Sequence, residues 1–255
     1  MNQINFFTCC NKIYNNFIPL FILSNLYHND NSFVEIGTDD ENYEPISKAM
    51  DFLKKIYEDR FLVRQVNFNY VEYQGKKFNT IPNSIRFLTE PKIKTEYVYI
   101  SDVDIITLQR NICEIHINNM KKTGLPYSNI VRPIKNIENE IKRLTGLHFT
   151  PHSNYYPIAN VSDVYNTGIL SHDEGLLYKI VEKKYPKFNY DEVYRPVHGI
   201  HVSLNREPMG KIGWGINNWK TQWLEFRNLS IFNEIEKVLP KFIIEKINII
   251  DNHAK

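Results

Sequence analysis

The sequence predicts an α/β fold, a mostly parallel central sheet flanked by helices, with a small helical appendage at the C-terminal end. Two observations predict it. The chain opens with a strand-length apolar run, Ile4 to Cys10, then a helix-length apolar stripe, Tyr14 to Leu26, then a second strand-length run, Phe33 to Gly37. A β-α-β start of this kind makes neighbouring strands parallel and puts ligands at their carboxyl edge. Further on, the β-branched and aromatic run from Glu96 to Ile100 continues into Asp102 and Asp104, followed by Ile105 and Ile106. A buried strand thus stops at a pair of carboxylates.

The remaining elements follow in order. The turn-rich Gly37-Thr-Asp-Asp40 ends the second strand. Ser47 to Tyr57 has the spacing of an amphipathic helix, and Phe61 to Phe68 and Val71 to Tyr73 are strand-like, with Lys76 and Lys77 expected in an exposed turn after them. Asn83 and Ser84 can cap a short helix that carries Ile85, Phe87 and Leu88 inward and Arg86 outward, just before the acidic strand. Ile112 to Ile117 fits a strand or a helix. Asn136 to Leu144 reads as a helix, and Thr145 to Tyr156 as an aromatic, histidine-rich loop. Asn166 to Leu170 is a short strand entered through a glycine, and it leads into a helix from Asp173 to Val181 capped by Ser171 or His172.

Length and composition bound the function. A chain of 255 residues buries one sizeable core, expected as a domain over 1–225 with a C-terminal appendage over 226–255. Its 31 basic and 29 acidic residues nearly cancel, so no global field points to nucleic acid. Three cysteines, two of them adjacent at Cys9 and Cys10, make neither a disulfide framework nor a zinc pattern, which suits a reducing, cytoplasmic compartment. The start of the chain lacks signal-peptide character, and the run Phe17 to Leu26 is interrupted and too short to span a bilayer. From Asn228 to Ile250, Ile231, Ile235, Val238, Phe242, Ile243 and Ile247 lie beside Lys237, Lys241 and Lys246. This stripe suits docking on the core or peripheral contact with the inner face of a membrane, and Pro240 interrupts it.

Asp102 and Asp104 carry the chemistry. Two residues apart in extended chain, they point the same way, as hard oxygen ligands for a divalent cation that also meets a pyrophosphate. The plain alternative is that they only end a strand. Asp173 and Glu174 sit where acids favour a helix N-terminus for dipole reasons, and there one of them can serve as base, nucleophile or sugar clamp. Pro196 and Gly199 argue against a helix around His198 and His201, so the two imidazoles should point to opposite sides with one reaching a metal. Lys211, between glycines, suits a phosphate, and Trp214 and Trp219 suit stacking on an acceptor sugar.

These segments resemble those of GT-A glycosyltransferases, whose fold is Rossmann-like. Tyr97-Val-Tyr-Ile-Ser-Asp-Val-Asp-Ile-Ile106 resembles the DXD segment of nucleotide-sugar-dependent enzymes. Tyr165-Asn-Thr-Gly-Ile-Leu170 is similar to the later N-S-G strand of glycosyltransferase family 8, and His172-Asp-Glu-Gly-Leu-Leu-Tyr-Lys179 to the H-D-E-x-x-L-x-K run of family 6. The family 8 H-x-x-G-x-x-K-P-W run is not intact. The resemblance implies that Asp102 contacts donor ribose or metal, that Asp104 ligates Mn²⁺ or Mg²⁺, and that His198 or His201 completes the metal set. It also implies that Asp173 holds the donor sugar with Glu174 by the anomeric carbon, and that Lys211 binds the diphosphate. Thr8, Arg86, Asn166 and His172 are the further donor-site expectations.

The resulting expectation is a metal-dependent hexosyltransferase-like enzyme, moving sugar from a nucleoside diphosphate sugar to a glycan or lipid-linked acceptor in polysaccharide or lipooligosaccharide synthesis. Two alternatives stand beside it. Nucleotidyl transfer also uses paired carboxylates, but Thr8-Cys-Cys-Asn-Lys12 has no glycine for a phosphate loop. A non-catalytic carbohydrate-binding protein would fit the abundant Tyr and Trp.

Overall fold

The structure is a computed structural model, and it describes residues 2–73, 75–132, 142–160, 162–163, 173–186, 198–204 and 216–255. The β-α-β start is present as β1 (Ile4–Cys10), α1 (Ile18–His28, entered through a 3-10 turn over Lys12–Phe17) and β2 (Ser32–Thr38). Then come α2 (Ser47–Tyr57), β3 (Phe61–Gln65), the hairpin of β4 (Tyr70–Tyr73) and β5 (Lys76–Asn79), and α3 (Ile85–Leu88). Lys76 and Lys77 are exposed as expected, but on a strand rather than in a turn.

The acidic segment divides into β6 (Tyr97–Ile100) and β7 (Ile105–Thr107), followed by α4 (Ile112–Thr123). The short pair β8 (Val131–Arg132) and β9 (Arg143–Leu144) precedes β10 (His148–Pro151) and α5 (His152–Tyr155). Arg143 and Leu144 are therefore strand and not the end of a helix, while 133–141 lie outside the described residues. The expected histidine-rich loop is in fact a strand and a helical turn. The last elements are α6 (Asp173–Lys184), β11 (Gly199–His201), α7 (Trp219–Arg227), α8 (Ser230–Glu236) and α9 (Lys241–Ala254). The expected strand at 166–170 and the capping residues Ser171 and His172 lie outside the described residues.

The central sheet has the order β10-β6-β1-β2-β3, with β6, β1, β2 and β3 parallel and β10 antiparallel at one edge. Every residue of β1 is buried, because helices cover both faces and the strand reads as a continuous apolar run. Alternation sends Ile4, Phe6 and Cys10 into a core shared with α1, and Phe7 and Cys9 into a second core with Ile85, Phe87, Leu176 and Ile180. A second, two-stranded sheet pairs β7 with β11.

The C-terminal helices extend the first core. Trp223, Phe226, Phe232, Ile235, Ile243 and Ile247 are buried within the cluster that holds Phe17 and Leu20. Trp223 also donates to Asp251 at 2.8 Å. Core packing thus takes up the apolar stripe of α9. No helix among the described residues is long and apolar enough to cross a membrane.

Candidate active site

The strand carrying the acids ends at Ile100, and Asp102 and Asp104 lie on the short turn that crosses from β6 in the central sheet to β7 in the small one. They do not share one extended strand, as alternation along a single run would have it. They converge because the turn folds both carboxylates toward the carboxyl edge of the sheet. There they line a cavity of about 280 Å³ together with Arg86, Asp173, His201 and Ser203.

His201 reaches the acids through strand pairing. The β7–β11 ladder sets Gly199 against Thr107, Ile200 against Ile106 and His201 against Ile105, and Val202 N donates to Asp104 O at 2.8 Å. Gly199 permits that approach, since a Cβ there would fall 2.1 Å from Ile106 O. The ladder leaves His201 Nε2 at 3.1 Å from Asp104 Oδ1. His198, on the other side of the same segment, is buried with its ring edge-to-face against Tyr99 at 5.9 Å and takes no place beside the acids.

Asp102, Asp104 and His201 each offer a ligand atom, and these atoms lie within 4.8 Å of one another. Two carboxylates and an imidazole suit a divalent cation of intermediate hardness such as Mn²⁺, and also accommodate Mg²⁺. Asp104 is buried and Asp102 partly exposed, so the group is open to the cavity on one side.

Arg86 differs from its expected place. It does not face solvent but is 7% exposed, and its guanidinium donates to Asp102 at 2.9 Å and to Asp173 at 3.2 Å. A helix of four residues cannot keep a long side chain wet when carboxylates from two other elements close over it. Burial alone would lower the Arg86 pKa, but Asp102, Asp173 and Asp104 outweigh it and hold the guanidinium charged above its ordinary range. For Asp102, burial pushes the carboxyl up, Arg86 pulls it down and Asp104 pushes it up again, with a net rise. Three acids sharing one guanidinium form a site short of positive charge.

Other expected residues fall elsewhere. Thr8 is fully buried, and its hydroxyl donates to Ser101 O at 2.8 Å, tying β1 to the acid-bearing turn instead of reaching the cavity. Glu174 is not among the cavity-lining residues; its carboxylate lies 3.7 Å from Arg143. Trp219 packs partly buried against the first core and does not line the cavity. Asn166, His172, Lys211 and Trp214 lie outside the described residues. Sequence reasoning did not assign Asn11, Tyr14, Asn83 and Ser203 to the site, yet all four line the cavity. The signal for the first two was their place just past the carboxyl end of β1, where an open α/β sheet collects its ligand contacts.

Fold and site together define an α/β protein with an acidic, cation-suited cluster at the carboxyl edge of a mostly parallel sheet. No protein-family model matches the sequence, and no curated protein does. Solved structures with a similar fold include the apo glycosyltransferase GlyE of Streptococcus pneumoniae, at 10% identity and a TM-score of 0.47 over 95% of this chain and 64% of that one. The apo bifunctional glycosyltransferase WbbM is similar at 10% identity and a TM-score of 0.44, over 93% and 52%. A mannosyltransferase of Pyrobaculum calidifontis, solved with GDP-Man and Mn²⁺, is similar at 12% identity and a TM-score of 0.45, over 99% and 75%. The chain thus spans less than two thirds of the length of the first two. At such identities the likeness says nothing of chemistry, which is read from this chain's own residues.

Proposed function

We propose that the protein is a metal-dependent glycosyltransferase of GT-A type, taking sugar from a nucleoside diphosphate sugar and passing it to a glycan or lipid-linked acceptor. The observation that supports this reading most is the convergence of Asp102, Asp104 and His201 to within 4.8 Å beside the buried Arg86. Those three residues would hold a divalent cation, which would supply Lewis-acid neutralisation of a leaving diphosphate.

The protein's own groups do the rest. Arg86 presents a permanently charged donor to phosphate or sugar oxygens, and Asp173, fixed to it across the cavity, accepts from sugar hydroxyls. Placement in the first turn of the helix and the contact with Arg86 orient the Asp173 carboxylate. Glu174 in this reading supports Asp173 from the next position of the same turn. In this reading Asn166, His172 and Lys211 are further donor-side residues and Trp214 an acceptor-side one, whereas Trp219, packed on the core, drops out of the acceptor set.

Release of nucleoside diphosphate from a panel of sugar donors, with Mn²⁺ and with chelator, tests the proposal. Asp104→Ala is expected to lower Mn²⁺-dependent turnover by at least about a hundredfold, because several kcal/mol of charge stabilisation at 1.4 kcal/mol per decade is removed. Equal turnover in wild type and variant would refute it.

A further inference from the structure

Gly146 lies in the buried bend between β9 and β10, and nothing in its own chemistry marks it. We propose that it is a positioning residue of the site, whose bare Cα sets where the Arg86 guanidinium rests between Asp102 and Asp173. This inference rests on the donor and cation reading given above.

The geometry is specific. A Cβ added at Gly146 would sit 2.7 Å from Arg86 Nη2, and 3.5 and 3.7 Å from the two carboxylate oxygens of Asp102. Nη2 is the atom that makes both ion pairs, at 2.9 and 3.2 Å. Any side chain at 146 therefore meets the one nitrogen that joins the two acids.

The wall behind Nη2 does not yield. Thr145, the preceding residue, is clamped by the buried Asn129. Asn129 Nδ2 donates to Thr145 O at 3.0 Å, while Thr145 N and Oγ1 donate to Asn129 Oδ1 at 3.1 and 2.5 Å. Thr145 N is also 3.1 Å from Ile130 O. The Arg86 guanidinium also lies 4.6 Å from the centre of the Phe87 ring. With the loop backbone held, a methyl at 146 is accommodated by displacing the guanidinium, the far end of a flexible side chain. Gly146 lacks the left-handed φ that would forbid alanine, so Gly146→Ala keeps the fold and moves the charge.

The displacement separates two properties of the site. Asp102 loses part of a competing cation and stays available to metal, whereas the donor contact made by Arg86 is misplaced by a fraction of an ångström. A misplacement of a full ångström can cost about a hundredfold in rate, so a fraction of it is expected to cost about tenfold. Loosening of the fold alone would weaken both properties together.

The test compares wild type, Gly146→Ala, Arg86→Lys and the double variant. Calorimetric titration with Mn²⁺ in the absence of nucleotide is expected to give Gly146→Ala a Kd no weaker than wild type. Its kcat/KM for donor turnover is expected to fall about tenfold or more. The double variant is expected to be no worse than Arg86→Lys alone, because lysine has no second nitrogen branch to collide with the methyl. Unchanged kcat/KM in Gly146→Ala, or single-variant losses that simply multiply, would overturn the proposal. A wild-type chain that neither binds Mn²⁺ nor turns over any donor refutes the site reading instead. The melting temperatures of the same four proteins then decide the Gly146–Arg86 contact, and additive shifts would overturn it.

Discussion

Replacing Arg86 by methionine separates the two demands made on the acid cluster. Methionine keeps an apolar stem beside Phe87 and removes the guanidinium that Asp102 and Asp173 share. Deleting one partner of a buried ion pair costs about 3–5 kcal/mol, and solvent takes up part of it when the orphaned acids are partly exposed. The Asp102 and Asp173 side chains are 28% and 20% exposed, which places the expected loss near the lower end, at about 3 kcal/mol. For a chain of this size that is about 6–12 °C in melting temperature.

Mn²⁺ should reverse much of the loss. In the proposed site a cation would reach Asp102 against the competition of Arg86, and in Arg86→Met that competition is gone. At a free concentration about one hundred times its Kd, bound Mn²⁺ adds about 2.7 kcal/mol to stability. Melting curves in chelator and in Mn²⁺ are therefore expected to show a larger metal-induced rise for Arg86→Met than for wild type, and none for Asp104→Ala. An Arg86→Met protein that melts with the wild type in chelator, or that ignores Mn²⁺, would contradict both the buried ion pairs and the cation site.

Two predictions concern the scaffold. Glu35 is fully buried in β2, where its carboxylate accepts from Arg64 Nε at 2.7 Å and from the backbone N–H groups of Lys92 and Ile93 at 2.9 and 2.7 Å. Glu35→Ala strands all three donors and is expected to cost about 3–5 kcal/mol in urea unfolding; a loss below about 1 kcal/mol would mean that water replaces them without penalty. Burial also pulls the His28 pKa down to about 4 and that of His148 to about 3, from an ordinary 6.5. Because the unfolded chain binds these protons first, stability is complete above pH 6.5 and falls as pH drops toward 4. Each histidine removes about 2 kcal/mol by pH 5. Urea midpoints at pH 7.5 and pH 5 measure the loss, and a flat profile would show that the two imidazoles are not held neutral.

What the sequence made legible were features with a local cause. The helix Ser47–Tyr57 has the bounds that its apolar spacing predicts, and β1 and β2 follow from apolar runs too short for anything but buried strands. Strand β10 was not legible, because its polar residues are buried with partners rather than turned to water. His148 sits 3.1 Å from Asn129 and Thr150 donates to Pro126 O, so no alternation of polar and apolar residues announces a strand. Burial of Arg86 was hidden for a similar reason: its partner Asp173 lies 87 residues away along the chain.

The acid pair shows most plainly where local reasoning stops. Two carboxylates at the end of an apolar strand can be recognised from their neighbours, but the third member of the cluster arrives by a ladder between β7 and β11 that depends on Gly199 having no side chain. Asp102 follows the strand that belongs to the central sheet, while Asp104 immediately precedes β7 and His201 is the last residue of β11 in the second. The spacing of the cluster is therefore set by backbone pairing in two sheets joined by one turn, and not by the rotamers of three flexible side chains. A cation gripped there would tie the two sheets together, because the turn that bears the two acids also joins one sheet to the other.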